Sequence, residues 1–218
     1  MSDQSSTLPY PIHLSQPNIL GRFGIYIIKK TSNFFWKVVD TLSYKNPKIA
    51  RLYVRSIEKE YQTEYKSFGV TTDSKILHIG CGPYPLTEMT LTQQFGAHVV
   101  GIDKNPHVIK MAQDLVKRKH LSKQITIEHG NGVDFPVKDF DMIIISSCAI
   151  PKKDILENIF HHAKKDCIII IRELDVSIPN ILTTIQNHKQ VELIKESHHH
   201  PIPFLLYIPW TAISLRIK

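Results

Sequence analysis

Cysteine is scarce in this chain: Cys81, Cys148 and Cys167 are the only three in 218 residues. The odd count and wide spacing argue against a disulfide framework or a zinc site of paired cysteines, and indicate a reducing cytoplasm. Cys148 and Cys167 sit in apolar segments, where buried, inert thiols are expected. Long hydrophobic runs are also lacking. No stretch approaches about 18 uninterrupted apolar residues, so no membrane-spanning helix is expected. Met1 to Gln16 is polar and proline-containing, without the basic-then-apolar order of a signal peptide. There is no arginine-rich arm, zinc module or aromatic RNA-binding motif, so no nucleic-acid partner is expected. Histidines 198–200 stand together, but adjacent side chains do not converge well. No partnering acid or cysteine spacing accompanies them, and no metal is expected.

What is present suits one α/β domain with a modest extension. Hydrophobic residues make up 42% and charged residues 22%, ordinary for a globular chain. The net charge of +7 fits either an anionic partner or a solvated, lysine-rich surface. Prolines 9, 11 and 17 make residues 1–18 a loose lead-in. Residues 19–70 have helical periodicity and read as a cap of two or three helices, with Pro47 opening one of them. From residue 71 to 218 the pattern alternates. Strands are expected at Lys75–Ile79, 98–102, Ile125–His129, 142–146 and 167–172. Helices are expected at Leu86–Phe95, 106–119 and 153–162. The strands are rich in isoleucine and valine with little alternation, as in parallel strands buried on both faces. The fold class is therefore α/β, a doubly wound, Rossmann-like sheet. A short helix at 178–187 and strands at 191–196 and 212–217 close the chain. The connection between those two strands holds three prolines with Phe204, Tyr207 and Trp210, and reads as a lid.

The richest signal is Ile76-Leu77-His78-Ile79-Gly80-Cys81-Gly82-Pro83-Tyr84-Pro85-Leu86-Thr87. An apolar strand enters a glycine turn, and Asp103 follows at the end of the next strand. Such a unit binds an adenosine-containing cofactor, with the acid on the ribose hydroxyls. Pro85 occupies the place where a dinucleotide site wants a third glycine. A sulfonium nucleoside, which has no phosphates, fits better. Gly80 and Gly82, with Cys81 and Pro83 between and beside them, let the backbone approach the ligand closely. Asp103 serves either the ribose or the cap of the following helix, and Lys104 stands next to it. Asn131 and Gly132, after the third strand, either contact adenine or form a turn. Ser146 and Ser147 emerge at the carboxyl edge, where ligands of open α/β sheets bind.

These features resemble the class I S-adenosylmethionine-dependent methyltransferases over about residues 70–175. The Phe140-Asp141-Met142-Ile143 start of the fourth strand belongs to the same resemblance. It implies a seven-stranded, mostly parallel sheet ending in an antiparallel hairpin, with S-adenosylmethionine as cofactor. More narrowly, the run from Gly80 to Thr87 is similar to the turn of nicotianamine synthases, and isoleucines 168–171 followed by Arg172 are similar to their arginine-ended strand. Those enzymes share the fold but transfer the aminocarboxypropyl arm.

The expectation is thus a cytoplasmic transferase, most readily one that methylates a small molecule, a hydrophobic one if the aromatic flanks form a lid, with arm transfer to an amine or a non-catalytic nucleoside-binding or membrane-associated module as alternatives. Tyr84 can position either transferred group. Glu64, Tyr65, His107 and histidines 198–200 are candidate bases, each more readily read as a surface or packing residue. Phe23, Tyr26, Phe34, Phe35 and Trp36, interleaved with lysines, allow a peripheral membrane contact or simple packing. The oligomeric state and the acceptor are not legible.

Overall fold

The computed structural model describes residues 19–199 and 210–218. The lead-in at 1–18 and the lid reading of His200, Phe204 and Tyr207 lie outside the described residues. Two helices come first, α1 (Ile19–Lys45) and α2 (Pro47–Ser67). They separate at Asn46, whose side chain accepts a bond from Lys48 N at 2.9 Å while Pro47 fills the first turn.

Alternating strands and helices follow: β1 (Lys75–Ile79), α3 (Leu86–Phe95), β2 (His98–Asp103), α4 (Pro106–Arg118) and β3 (Ile125–His129). Then come β4 (Met142–Ile145), α5 (Lys152–His162), β5 (Ile168–Leu174), a single 3-10 turn, α6 (Ile178–Gln186), β6 (Val191–His199) and β7 (Trp210–Ile217). One sheet joins all seven strands in the order β3-β2-β1-β4-β5-β7-β6. Five strands are parallel, and β7 inserts antiparallel between β5 and β6. The expected α/β class and terminal hairpin are what the structure shows.

The bounds of several elements differ from the sequence reading, among them β6, which runs to His199, and β7, which starts at Trp210. β5 does not end at Arg172 but runs on to Leu174, because β7 pairs with it out to Trp210. Of Asn105 and Asp103, both placed by the sequence to cap α4, Asn105 does so, accepting from His107 N at 3.0 Å, and Asp103 is left for other partners.

Strand alternation buries both faces. Leu77, Ile79, Ile143, Ile145, Ile169 and Ile171 meet α5 and α6 through Ile155, Leu156, Ile159, Phe160, Ile181 and Ile185. Ile76, Met142, Ile144 and Ile170 point the other way and meet Ile57, Tyr61 and Tyr65 of α2. Helix α2 is thereby fixed over the sheet. A third cluster joins Ala50 of α2 to Leu86 and Met89 of α3 and to Ile109 and Ala112 of α4. This packing hangs α1 and α2 beside the carboxyl ends of the parallel strands, where the functional residues gather.

Candidate active site

β1 ends in a turn held by backbone bonds: Gly80 N and Cys81 N both donate to Ile102 O, at 2.8 and 3.0 Å. Gly80 and Gly82 take φ of 87° and 67°, in the left-handed region that favours glycine. A Cβ at Gly80 would stand 3.2 Å from the Ser146 Cβ, and one at Gly82 would stand 2.9 Å from Asp40 Oδ2. The turn is therefore shaped by backbone close approach on both sides. Asp103 ties it to β2, since its Oδ2 accepts from Gly82 N at 3.4 Å and its Oδ1 from Asn105 N at 2.9 Å.

Two adjoining cavities open at this edge. Gly80, Cys81, Tyr84, Ser146 and Ser147 line the first, together with Trp36 and Asp40 of α1, Tyr53 and Tyr61 of α2, His78, Arg172 and Trp210. Asp103, Lys104, Asn131 and Gly132 line the second, with Ile79, Ile102 and Ile155 beneath them. Gly80 and Cys148 belong to both. The sequence-predicted cofactor residues are thus divided between two chambers that meet at one lip. Gly82 and Pro83 shape the turn behind it.

Several predicted side chains have partners of their own. Asn131 Oδ1 accepts from Val133 N at 3.3 Å, the bond of a local turn. Lys104 Nζ donates to Ile150 O at 3.2 Å across the mouth of the second cavity. Glu64 and Tyr65 line neither cavity. They hold Arg172, whose Nη2 donates to Glu64 Oε2 at 3.1 Å and to the Tyr65 hydroxyl, while Nη1 donates to Thr87 Oγ1 at 2.9 Å. The guanidinium also lies over the Tyr61 ring at 3.8 Å. Burial opposes its charge, but Tyr61, Tyr65 and Glu64 more than offset that and hold it above its ordinary pKa. Burial also drives the Tyr65 phenol up, so it stays protonated and is a poor base. His107 is exposed on α4, away from the residues that line either cavity. Cys167 is buried as expected, but Cys148 is exposed. β4 stops at Ile145, and the chain turns outward before it reaches the thiol.

The structure adds residues that periodicity alone did not bring forward. His78, in the middle of β1, bonds Glu88 Oε1 through Nδ1 at 2.7 Å and Ser146 Oγ through Nε2 at 2.8 Å. With Glu88 ionised, Nδ1 donates to it, and a neutral ring then accepts the serine proton at Nε2. A carboxylate–imidazole–hydroxyl chain so reaches the wall of the first cavity. An ionisable residue inside an otherwise apolar strand was its sequence signal.

Asp40 is the second addition. It is the only acid in Ile19–Lys45, a signal available in the sequence. Its Oδ1 is buried with no hydrogen-bond partner among the described residues. Burial pushes its carboxyl up to about 8; Tyr53 beside it works the other way, and the charges of Glu88 and Asp103 add to the rise. Beneath the cavity Lys152 donates to Ser146 O and, at 3.5 Å, to Arg172 O. Burial lowers its ammonium to about 8 against the pull of Glu173. Among the described residues no group of three His, Cys, Asp or Glu side chains could hold a metal ion.

The two-chambered cleft stands at the carboxyl edge of this sheet, where the ligands of open α/β sheets bind. A family model described as a methyltransferase domain matches residues 71–201, and the chain belongs to that S-adenosylmethionine-dependent family. Norajmaline N-methyltransferase of Rauvolfia serpentina is 31% identical over 75 residues, 34% of this chain and 25% of that protein. Malonyl-[acyl-carrier protein] O-methyltransferase of Paenibacillus sp. (strain JDR-2) is 32% identical over 89 residues, 39% of this chain and 32% of that protein. The chain thus matches a third or less of the length of these curated relatives.

Solved structures show the same fold. A mutant of MtNAS in complex with S-adenosylmethionine aligns with a TM-score of 0.70 at 14% identity, covering 92% of this chain and 80% of that one. A methyltransferase from Thiobacillus denitrificans in complex with S-adenosyl-L-homocysteine aligns with a TM-score of 0.57 at 12% identity, covering 73% and 91%. At 14% identity, the likeness to MtNAS is one of fold.

Proposed function

We propose that this chain transfers a methyl group from S-adenosylmethionine to a small-molecule acceptor in the cytoplasm. One observation carries the reading: the two cavities meet at Gly80 and Cys148, so a ligand in the second presents its far end to the first. The residues present suit that cofactor. A Cβ at Gly80 or Gly82 would fill the cradle, and the Asp103 carboxylate suits a ribose diol at the second cavity. When bound, S-adenosylmethionine supplies an electrophilic methyl carbon and a sulfur that takes the bonding pair as the bond to carbon breaks.

The chain's residues do the rest. Asp103, Lys104, Asn131 and Gly132 bind the nucleoside end, while the Gly80–Gly82 turn and Ser146–Ser147 hold the amino-acid end. Trp36, Tyr53, Tyr61, Tyr84 and Trp210 give the first cavity aromatic walls, which exclude water and suit an apolar acceptor. Tyr84 orients the acceptor. Asp40, when ionised, takes the proton that the attacking nitrogen, oxygen or carbon must lose.

A second reading, transfer of the aminocarboxypropyl arm to an amine, is favoured by one specific fact. The MtNAS likeness covers 92% of this chain, a share that must include part of the N-terminal helices. Incubation with labelled S-adenosylmethionine and an acceptor panel separates the two. S-adenosylhomocysteine as the product supports methyl transfer, and methylthioadenosine replaces it with the second reading. Tight binding without turnover across the panel would discard both.

A further inference from the structure

Helix α1 has two faces with different fates. Its inward face supplies Trp36 and Asp40 to the first cavity and Lys29 to Glu173, which it meets at 3.3 Å. Its outward face has no partner among the described residues, although it is apolar. Leu20 is 80% exposed, Phe23 63% and Phe34 69%, and Ile27, Val38 and Leu42 are exposed with them. At 3.6 residues per turn these six side chains fall within an arc of about 100° and run some 33 Å along the helix. Thr41, on the same face, has already given its hydroxyl proton to Lys37 O at 2.7 Å.

We propose that this face lies on an anionic phospholipid surface, seating the protein at a membrane without crossing it. Charge selects the occupant. Five basic residues stand in α1 against one acid, and that acid, Asp40, is turned into the cavity. Exposed Lys30 and Lys37 border the apolar stripe on one side, Lys30 over the Tyr26 ring at 5.9 Å, and their long stems can lie along apolar surface and carry the ammonium groups past it. Lysines beside an apolar stripe are what an interfacial helix needs, because the stripe enters the acyl boundary while the ammonium groups meet lipid phosphates. A second copy of this chain is a poor occupant, since both would bring the same cationic helix and a net charge of +7. Among the described residues no helix is long and apolar enough to cross a membrane, so the contact is peripheral. The inference does not depend on which group the enzyme transfers.

Co-sedimentation of the full chain tests it, using vesicles of phosphatidylcholine alone and vesicles with about 30% phosphatidylserine. The wild type is expected to pellet with the anionic vesicles and to be released by about 0.5 M salt. The Phe23→Ser/Phe34→Ser and Lys30→Glu/Lys37→Glu pairs should each weaken partitioning by about tenfold or more. Both should keep wild-type cofactor affinity and thermal midpoint, because neither pair touches the core. A wild type that stays in the supernatant overturns the proposal, as does equal binding by the variants. In that event, a concentration-dependent dimer lost in the Phe pair assigns the face to a second copy. A monomer assigns it to parts of this chain outside the described residues.

Discussion

Burial makes the Asp40 carboxyl costly to ionise, the charges of Glu88 and Asp103 add to that cost against the help of Tyr53, and its pKa is pushed up to about 8. The consequence for stability has a definite sign. The folded pKa lies above the unfolded value, so the folded state holds the proton longer. Asp40's contribution is fully present at acid pH and is lost progressively between about pH 4 and about pH 8. Asp40→Asn, which mimics the protonated acid, should therefore match the wild type at or below about pH 4 and melt at a higher temperature than it at pH 8 and above. The same variant should lose about a hundredfold in kcat/KM, the usual contribution of a general base, with cofactor affinity unchanged. The wild-type rate should rise with pH through about 8, and the variant's should not. Thermal melts and rate profiles over that range decide the point; a variant with wild-type rates removes Asp40 from the chemistry.

Arg172 acts between elements. From β5 it reaches Glu64 and Tyr65 on α2 and Thr87 on α3, so one guanidinium locks two helices to the strand that forms the cavity floor. Removing it strands the buried Glu64 carboxylate, and Arg172→Met should cost about 3–5 kcal/mol in urea unfolding. Glu64→Gln on that background should recover part of the loss. Arg172→Lys should not rescue it, because an ammonium cannot serve the same fork of acceptors while stacked on Tyr61. Full stability in Arg172→Met would show that the lock is decorative.

This level also shows why the sequence was readable in one place and opaque in another. The segment from β1 through α3 to β2 is legible because strand period, glycine turn and terminal acid are all local. The Arg172 contacts are not, since the register of α2 over the sheet is set by Ile57, Tyr61 and Tyr65 meeting residues far along the chain. Glu64 and Tyr65 read as free bases because a lone sequence cannot say that a distant guanidinium will occupy them. Asp40 was hidden for the same reason. Helical periodicity places it opposite the stripe of Phe23 and Phe34, but only the fold shows that this side faces Gly82. Cys148 failed differently: apolar neighbours suggested burial, but the strand ended before it.

For the molecule as a whole, the open issue is whether the helices at 19–70 and the sheet domain at 71–218, a division we offer as a proposal, behave as separate units. The packing argues that they unfold together. Ile57, Tyr61 and Tyr65 are shared with β1, β4, β5 and β7 in a single buried cluster, and peeling α2 away would expose Ile76, Met142, Ile144 and Ile170 at once. The two tryptophans report on each part. Trp36 stands on α1, 6.0 Å from the Tyr53 ring, and Trp210 stands on β7, edge-on to Tyr61 at 6.3 Å. Trp36→Phe and Trp210→Phe leave one reporter each. Urea midpoints from the two fluorescence signals and from far-ultraviolet circular dichroism should coincide within each variant, as two-state unfolding requires. An α1 signal that changes at lower urea than the dichroism of the same variant would make the helices an independently opening unit. The lid-like access to the first cavity would then come from α1, because Asp40 and Trp36 would leave the cavity with it.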